Sequence, residues 1–469
     1  MPRRNLSVFA AVAAVSLLCW QATQGAKPKD EMMELYGTFV DAVEQVEASY
    51  VRPVNRRELL ESALRGMLQD LDPHSQFITE NEWRSFKKTI EGRYAGIGIQ
   101  VELDSDSERL RVIAPMVGTP AYHAGIMPGD LILDIDGQST EGFTPDKAVE
   151  VLTGRPGTDV KLTVKHEGID KLETLQMTRA EINTPSVLGD ARKPDDQWDF
   201  MLDHDRKIGY VRITSFIQST ADELKKALAE LKAEGMKALI VDLRDNPGGL
   251  LASAVEISDL FVDEGVIVST KGRNTPTKEY PAQKDGQFTD FPMVVLVNQS
   301  SASASEILSA CLQDHHRAKV VGQRSYGKGS VQNILELEGG SSVLKLTVAT
   351  YQRPSGKNIH RFKNAKESDE WGVSPDKGLE VKLTPEQYKV LHDARRGRDL
   401  LTLHRGRKPA DAKAADGKKD KDNDNDKEKE KDKEKAKDQK AVPKAIADVQ
   451  LDKALAEVKE ELGAATARK

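Results

Sequence analysis

The chain has 469 residues, room for two or three domains, and its 38% hydrophobic and 31% charged residues fit a protein folded in water with a charged extension. A net charge of −6 excludes the basic footprint of a nucleic-acid binder. Of the two cysteines, Cys19 falls in an N-terminal leader, so Cys311 is left alone and no intrachain disulfide is expected.

Arg3 and Arg4 give that leader a basic start. Residues 8–20 are apolar apart from Ser16, a run too short for a membrane span, and Thr23-Gln24-Gly25 offers small residues before a cut near Ala26. Leu18 is too large for the lipobox that Cys19 would need. Residues 1–26 therefore read as a signal peptide. The mature protein is expected to be exported, periplasmic or membrane-associated on the outer face.

Residues 27–88 form a helical region. Leu35, Phe39, Val43, Val46 and Tyr50 recur at helical spacing, as do Leu60, Leu64 and Leu68 after Pro53. These paired amphipathic helices suit packing or self-association. Residues 89–172 change to short β-branched runs between Gly and Pro. Strands are expected at 99–101, 110–113, 131–135 and 160–164, with one short helix from Pro145 to Leu152.

Residues 173–385 form the core region, and within it, from Gly209 to Tyr351, strands alternate with helices, the mark of an α/β layer. Residues 208–213, 238–241, 293–297 and 319–321 read as strands, the middle two as buried ones. Thr220-Ala221-Asp222-Glu223 reads as a capping box that opens a helix, and residues 250–261 as another. Cys311 lies in a run that looks like a buried helix and is expected in the core. Residues 386–407 extend this body. Residues 408–440 are Lys, Asp, Glu and Asn with a few alanines, expected as a disordered linker. Residues 441–469 resume an amphipathic pattern, a terminal helix that docks on a folded body or another subunit.

The chemistry is carried by Ser301-Ala302-Ser303-Ala304-Ser305-Glu306, set between a buried strand and a helix, and by Gly327-Lys328-Gly329-Ser330-Val331-Gln332. A serine needs a base to take its proton. The nine histidines are scattered, whereas a lysine serves once burial lowers its pKa. Gln332 can hold the neutral amine without raising its pKa as a carboxylate would. Acyl transfer also needs N–H donors for the oxyanion. Asn246-Pro247-Gly248-Gly249, between a buried strand and a helix, offers one and Ala304 the other.

Competing motifs fail. Gly322 to Lys328 matches a phosphate-binding loop, but Gly329 stands where Ser or Thr should hold magnesium, and a strand pattern follows. Ser85-Phe86-Lys87-Lys88 matches the Ser-x-x-Lys of penicillin-binding enzymes without its companion motifs. No His, Cys and carboxylate cluster has metal spacing. Neither metal nor cofactor is expected.

Tyr94-Ala95-Gly96-Ile97-Gly98-Ile99 leads a strand, and open N–H groups in such a loop form a nest for a carboxylate. With Gly118-Thr119-Pro120-Ala121 and Pro128-Gly129-Asp130-Leu131-Ile132, the segment looks like a PDZ domain, which captures C-terminal peptides by strand addition.

Together with Leu71-Asp72-Pro73-His74-Ser75 and Pro354-Ser355-Gly356, these pieces resemble the carboxyl-terminal processing, or tail-specific, serine proteases. The resemblance runs from about Met33 to Asp376. It implies an α/β (α+β multidomain) architecture, with a crotonase-like protease core, an inserted PDZ domain and a helical N-terminal region. It implies a Ser-Lys dyad completed by Gln: Ser303 as nucleophile, Lys328 as base, Gln332 as its support. Ala304 and Gly248 or Gly249 then form the oxyanion hole, and Gly96, Ile97 and Gly98 bind the substrate's C-terminus. Relatives often carry an Arg before the Gly that ends the PDZ helix, and this Arg couples capture to catalysis; here Thr153 stands in its place, with Arg155 further on. The partners implied are unfolded or tagged polypeptides with exposed C-termini, and a homo-oligomer through the terminal helices, with no nucleic acid. A catalytically silent PDZ scaffold and a non-proteolytic serine hydrolase are the alternatives.

Overall fold

The computed structural model describes residues 31–167, 171–283, 288–399 and 448–467. The expected signal peptide and charged linker lie outside them. The chain divides into two compact units, Met1–Thr79 with Ile334–Leu346, and Glu80–Asn333 with Thr347–Lys469. Among the described residues no helix is long and apolar enough to cross a membrane.

In the first unit, helix α1 (Glu31–Ser49) precedes α2 (Arg56–Gln69), which begins where the Asn55 side chain accepts the Arg57 N–H. The pattern of α1 is amphipathic, yet Leu35, Tyr36, Phe39 and Val40 are exposed. The turn Asp72 to Ser75 is tied by the Asp72 carboxylate, which accepts from the N–H groups of His74 and Ser75. Strand β1 (Gln76–Ile78) then pairs antiparallel with Val343 to Lys345 and buries Phe77 and Ile78.

The second unit opens with α3 (Glu80–Glu91). An antiparallel sheet follows, ordered β2 (Ile99–Leu103), β3 (Leu110–Pro115), β4 (Leu131–Ile135), β5 (Asp159–Lys165) and β6 (Leu172–Thr178). The sheet continues beyond residue 172, because β6 pairs with β5 along its whole length. Strand β2 is an edge, its free side beside helix α4 (Pro145–Leu152), which starts and ends where the sequence places it. Leu110, Val112, Ile132, Val160, Leu162 and Ala148 form this region's own core.

The remaining layer is a parallel run of four strands: β7 (Ile208–Ile213), β8 (Ala238–Asp242), β9 (Met293–Val297) and β10 (Lys319–Gly322). Both faces are covered, which is why these strands read as unbroken apolar runs. One face packs on α5 (Thr220–Ala233), α6 (Leu251–Asp259) and α7 (Ala304–Asp314). Cys311 is buried there, and burial pushes its thiol up to about 12, a core residue with no nucleophilic character. Helix α5 differs from expectation at its start. Its cap is Ser219, because the Thr220 hydroxyl is spent on the Ile217 N–H and the Ser215 carbonyl.

The other face is covered by the terminal helix α9 (Val449–Ala467), whose Ala454 and Val458 join Ile240, Leu296 and Val321. So this helix docks on its own chain. Its N-terminal end is held by the wholly buried Arg244, which bonds Asp448 at 2.8 Å and Gln450 at 3.1 Å. Arg244 also pairs with buried Asp242, as does Arg395 of α8 (Pro385–Asp399). Burial alone would raise the Asp242 carboxyl; the two guanidinium groups outweigh it and hold it well below the usual range.

Candidate active site

The serine cluster forms the turn between β9 and α7. Three serines alternate, and the structure separates them by their hydroxyls. Ser301 Oγ donates to the Leu243 carbonyl at 2.8 Å and accepts the Asn298 N–H. Ser305 Oγ donates to the Asn246 carbonyl at 2.9 Å. Both are committed to the loop after β8. Ser303 makes neither bond. It sits at the N-cap of α7 with φ 55° and ψ −113°, a backbone strained for a residue with a Cβ. Such strain persists only where neighbours impose it.

The neighbour that holds its N–H is Glu306, one turn into α7 and fully buried. Its Oε2 accepts the N–H of Ser303 at 2.8 Å and that of Lys328 at 2.8 Å. Its Oε1 accepts the Gly327 N–H at 2.6 Å and Ser325 Oγ at 2.5 Å. Two donors on each oxygen fill the acceptor capacity of an ionised carboxylate. Burial pushes this carboxyl up to about 7, against the lowering by those four bonds. One carboxylate thus locks the serine turn to the lysine loop. In the sequence Glu306 stands only as the last residue of the serine motif. Its position three residues after Ser303, the acidic place of a capping box, was the available signal.

Lys328 is half-buried on the loop between β10 and the strand Ser330–Leu337. Its flanking glycines are required by close approach. A Cβ on Gly327 would lie 2.7 Å from Arg361 Cβ, and one on Gly329 2.2 Å from the His360 nitrogen. The Gln332 amide nitrogen donates to Ser330 Oγ at 2.9 Å and Thr347 Oγ1 at 3.1 Å, so its side chain is anchored beside the lysine loop.

The loop after β8 packs directly on the serine turn. A Cβ on Gly248 would meet Ser303 Cβ at 2.8 Å and the Ala304 nitrogen at 2.9 Å. The two glycines differ. The Gly248 N–H is taken by Asn246 Oδ1 at 2.8 Å, whereas the N–H groups of Gly249 and Ala304 donate to nothing among the described residues. Buried Asn246 holds the arrangement, since its carbonyl accepts from Ala302 N–H and Ser305 Oγ while its amide reaches the Ile213 carbonyl.

Gly96, Ile97 and Gly98 lie away from these residues, at the start of β2. The Ile97 and Gly98 carbonyls accept from Ala121 and Met116 N–H, so they point inward. The N–H groups of Ile97 and Gly98 donate to nothing among the described residues. They border a groove of about 520 Å³ lined by Ile99, Val101, Val149, Leu152 and Ile217 among others. Thr153 caps α4 at its edge, and Arg179 binds the Val151 carbonyl at 2.8 Å, pinning the helix's last turn.

Comparison with known proteins shows the family. The model of peptidase family S41 matches residues 207–377, and the PDZ domain model matches residues 86–165. A carboxy-terminal-processing protease of Bartonella bacilliformis is 36% identical over 379 residues, 80% of this chain and 81% of that protein. The carboxy-terminal processing protease CtpA of Bacillus subtilis is 35% identical over 368 residues, 75% of each chain. Among solved structures, a photosystem II D1 C-terminal processing protease aligns at 28% identity over 73% of this chain and 92% of its own, with a TM-score of 0.41. The chain belongs to peptidase family S41, as a serine-type carboxyl-terminal processing protease with a PDZ domain.

Proposed function

We propose that this protein is an exported endopeptidase that captures polypeptide C-termini in its PDZ groove and cleaves upstream through a Ser303–Lys328 dyad. The observation that carries the reading is the convergence of Ser303 and Lys328 N–H groups on one Glu306 oxygen, beside the two open donors Ala304 and Gly249.

Lys328 Nζ, in its neutral form, takes the proton of Ser303 Oγ as that oxygen attacks the scissile carbonyl carbon. The oxyanion of the tetrahedral intermediate accepts from Ala304 and Gly249 N–H, with Gly248 supplying the close approach instead of a donor. Collapse breaks the C–N bond, and the protonated lysine passes its proton to the leaving amine. Water, deprotonated by Lys328, then attacks the acyl-enzyme ester and frees Ser303. Gln332 keeps the lysine loop in place without adding a charge that would favour the ammonium. Ala304 is the first residue of α7, so the helix N-terminus adds positive potential where the oxyanion forms.

The partners are unfolded or tagged polypeptides with exposed C-termini. Their carboxylate is received by the Gly96-Ile97-Gly98 loop and their backbone adds to the free edge of β2. The exposed apolar residues of α1 provide a surface for self-association. Matched unfolded substrates with free and amidated C-termini test the reading. A free carboxylate should raise kcat/KM about tenfold or more, equivalent to about 1.4 kcal/mol. Equal values would exclude tail capture and leave a general protease, and no cleavage of either would favour a silent scaffold.

A further inference from the structure

The groove beside β2 is not built by the PDZ region alone. Ile217, from the loop after β7, lines it together with Ser215 and Gly92. Ile217 is 8% exposed and fits so closely that a Cβ on Gly92 would stand 2.2 Å from its Cδ1. A terminal side chain entering this groove therefore meets the protease core as well, with Ile217 as its large apolar residue.

The neighbour of Ile217 belongs to the other site. Phe216 is fully buried, and both its backbone groups are bound to the loop that carries Gly249. Its N–H donates to the Gly248 carbonyl at 3.0 Å, and its carbonyl accepts from Leu250 N–H at 2.7 Å. It pairs with Gly249 as in a parallel sheet, so close that a Cβ on Gly249 would fall 2.1 Å from the Phe216 oxygen. The Ile217 N–H is held in turn by Thr220 Oγ1 at 2.9 Å, and that hydroxyl donates to the Ser215 carbonyl. Three consecutive residues thus span from the groove wall to Gly249, each held by a hydrogen bond to its backbone.

We propose that Ile217 is a specificity-determining residue, which contacts the substrate's C-terminal side chain, and that residues 215–217 carry groove occupancy to the Gly249 N–H. This rests on the reading of the groove as the C-terminus site. It gives the chain a direct route from capture to catalysis at a place where the PDZ helix ends in Thr153. The segment favours an apolar terminal residue, because Ile217, Ile99, Val101, Val149 and Leu152 surround the space it would fill.

The test separates binding from transmission. Hydrolysis of a short activated acyl ester, too small to reach the groove, is measured on the full chain with and without a peptide in trans that ends in Leu with a free carboxylate. Peptide binding is followed independently by fluorescence anisotropy. In the wild type, saturating peptide should raise kcat for the ester about tenfold, the size of a typical coupling between two sites. Ile217→Ala, and Ile217→Val which removes only the Cδ1 methyl, should bring that rise below about twofold at peptide concentrations that anisotropy shows to be saturating. Full acceleration in both variants would overturn the proposal, and so would a wild type that binds the peptide without acceleration; in either case the groove would still be a C-terminus site. Failure of the wild type to bind the free-carboxylate peptide would remove that underlying reading as well.

Discussion

Glu306→Gln isolates the link between Ser303 and Lys328, the proposed nucleophile and base, while keeping side-chain shape. The carboxylate accepts four donors, two on each oxygen. Gln replaces one oxygen by an NH2 group that cannot accept. The better orientation keeps the oxygen on Ser303 and Lys328 N–H and turns the nitrogen to Ser325 Oγ, which can accept it. The Gly327 N–H is then left without a partner, at a cost of about 1–3 kcal/mol. Against this, Gln removes a buried charge. The carboxyl stands at about 7 in the fold against an ordinary 4.5, a gap equivalent to about 3 kcal/mol above neutral pH. The two nearly cancel, so thermal stability at pH 8 should be close to wild type. Activity should not be. Gly327 precedes Lys328, and a shift of the base by about 1 Å costs roughly a hundredfold in rate. The expected result is kcat on a peptide substrate lowered about a hundredfold with little change in KM and in Tm. The sign of the pH effect follows from the raised pKa. The stability contributed by the neutral form is complete below 4.5 and is lost as pH rises through about 7, a decline that the Gln variant should not show. Wild-type kcat in Glu306→Gln, or a collapse in Tm that accounts for the lost activity, would refute this role.

Other consequences can be measured with the same substrates. Lys328→Arg should be as inactive as Lys328→Ala, since Arg cannot give up its proton; robust turnover by the Arg variant would exclude a lysine base. Asp448→Ala leaves fully buried Arg244 with one carboxylate fewer and should lower stability by about 2 kcal/mol, read by denaturant unfolding, with the loss shared by a truncation before α9. Gly248→Ala forces a Cβ against Ser303 and Ala304 at φ 98° and should abolish cleavage while the PDZ groove still binds peptide by anisotropy. Deleting residues 408–440 should leave turnover of a small peptide intact, because that segment has no large apolar side chain with which to pack; a large loss would mean that it does more than tether α9.

The parts legible from sequence share a physical cause: they are local. Helix α4 is announced by Thr144 and Pro145 at its start, and the strands β8 and β9 by unbroken apolar runs that only two-sided burial allows. The serine turn was legible as small residues between a strand and a helix. What escaped depends on chain segments far apart. Nothing near Ser301 or Ser305 shows that their hydroxyls are spent on residues 243 and 246. Glu306 becomes a junction only because residues 325–328 return to it. The choice between Gly248 and Gly249 turns on one bond from Asn246, and the terminal helix's anchor on a buried arginine some 200 positions earlier. Strand β6 is not announced, because Leu172, Glu173 and Thr174 are exposed on the sheet's outer edge and show no apolar alternation. The sequence points to Thr220 as the cap, but Ser219 takes that place because the Thr220 hydroxyl serves Ile217, a contact set by the fold of the preceding loop.

The central claim is that one serine of three, activated by Lys328, is acylated. It is tested most directly by labelling the full chain with a fluorophosphonate serine probe and mapping the modified residue by peptide mass spectrometry. The label should sit on Ser303, persist in Ser301→Ala and Ser305→Ala, and vanish in Lys328→Ala. A label on Ser301 or Ser305, or wild-type labelling of Ser303 in the absence of Lys328, would contradict the account.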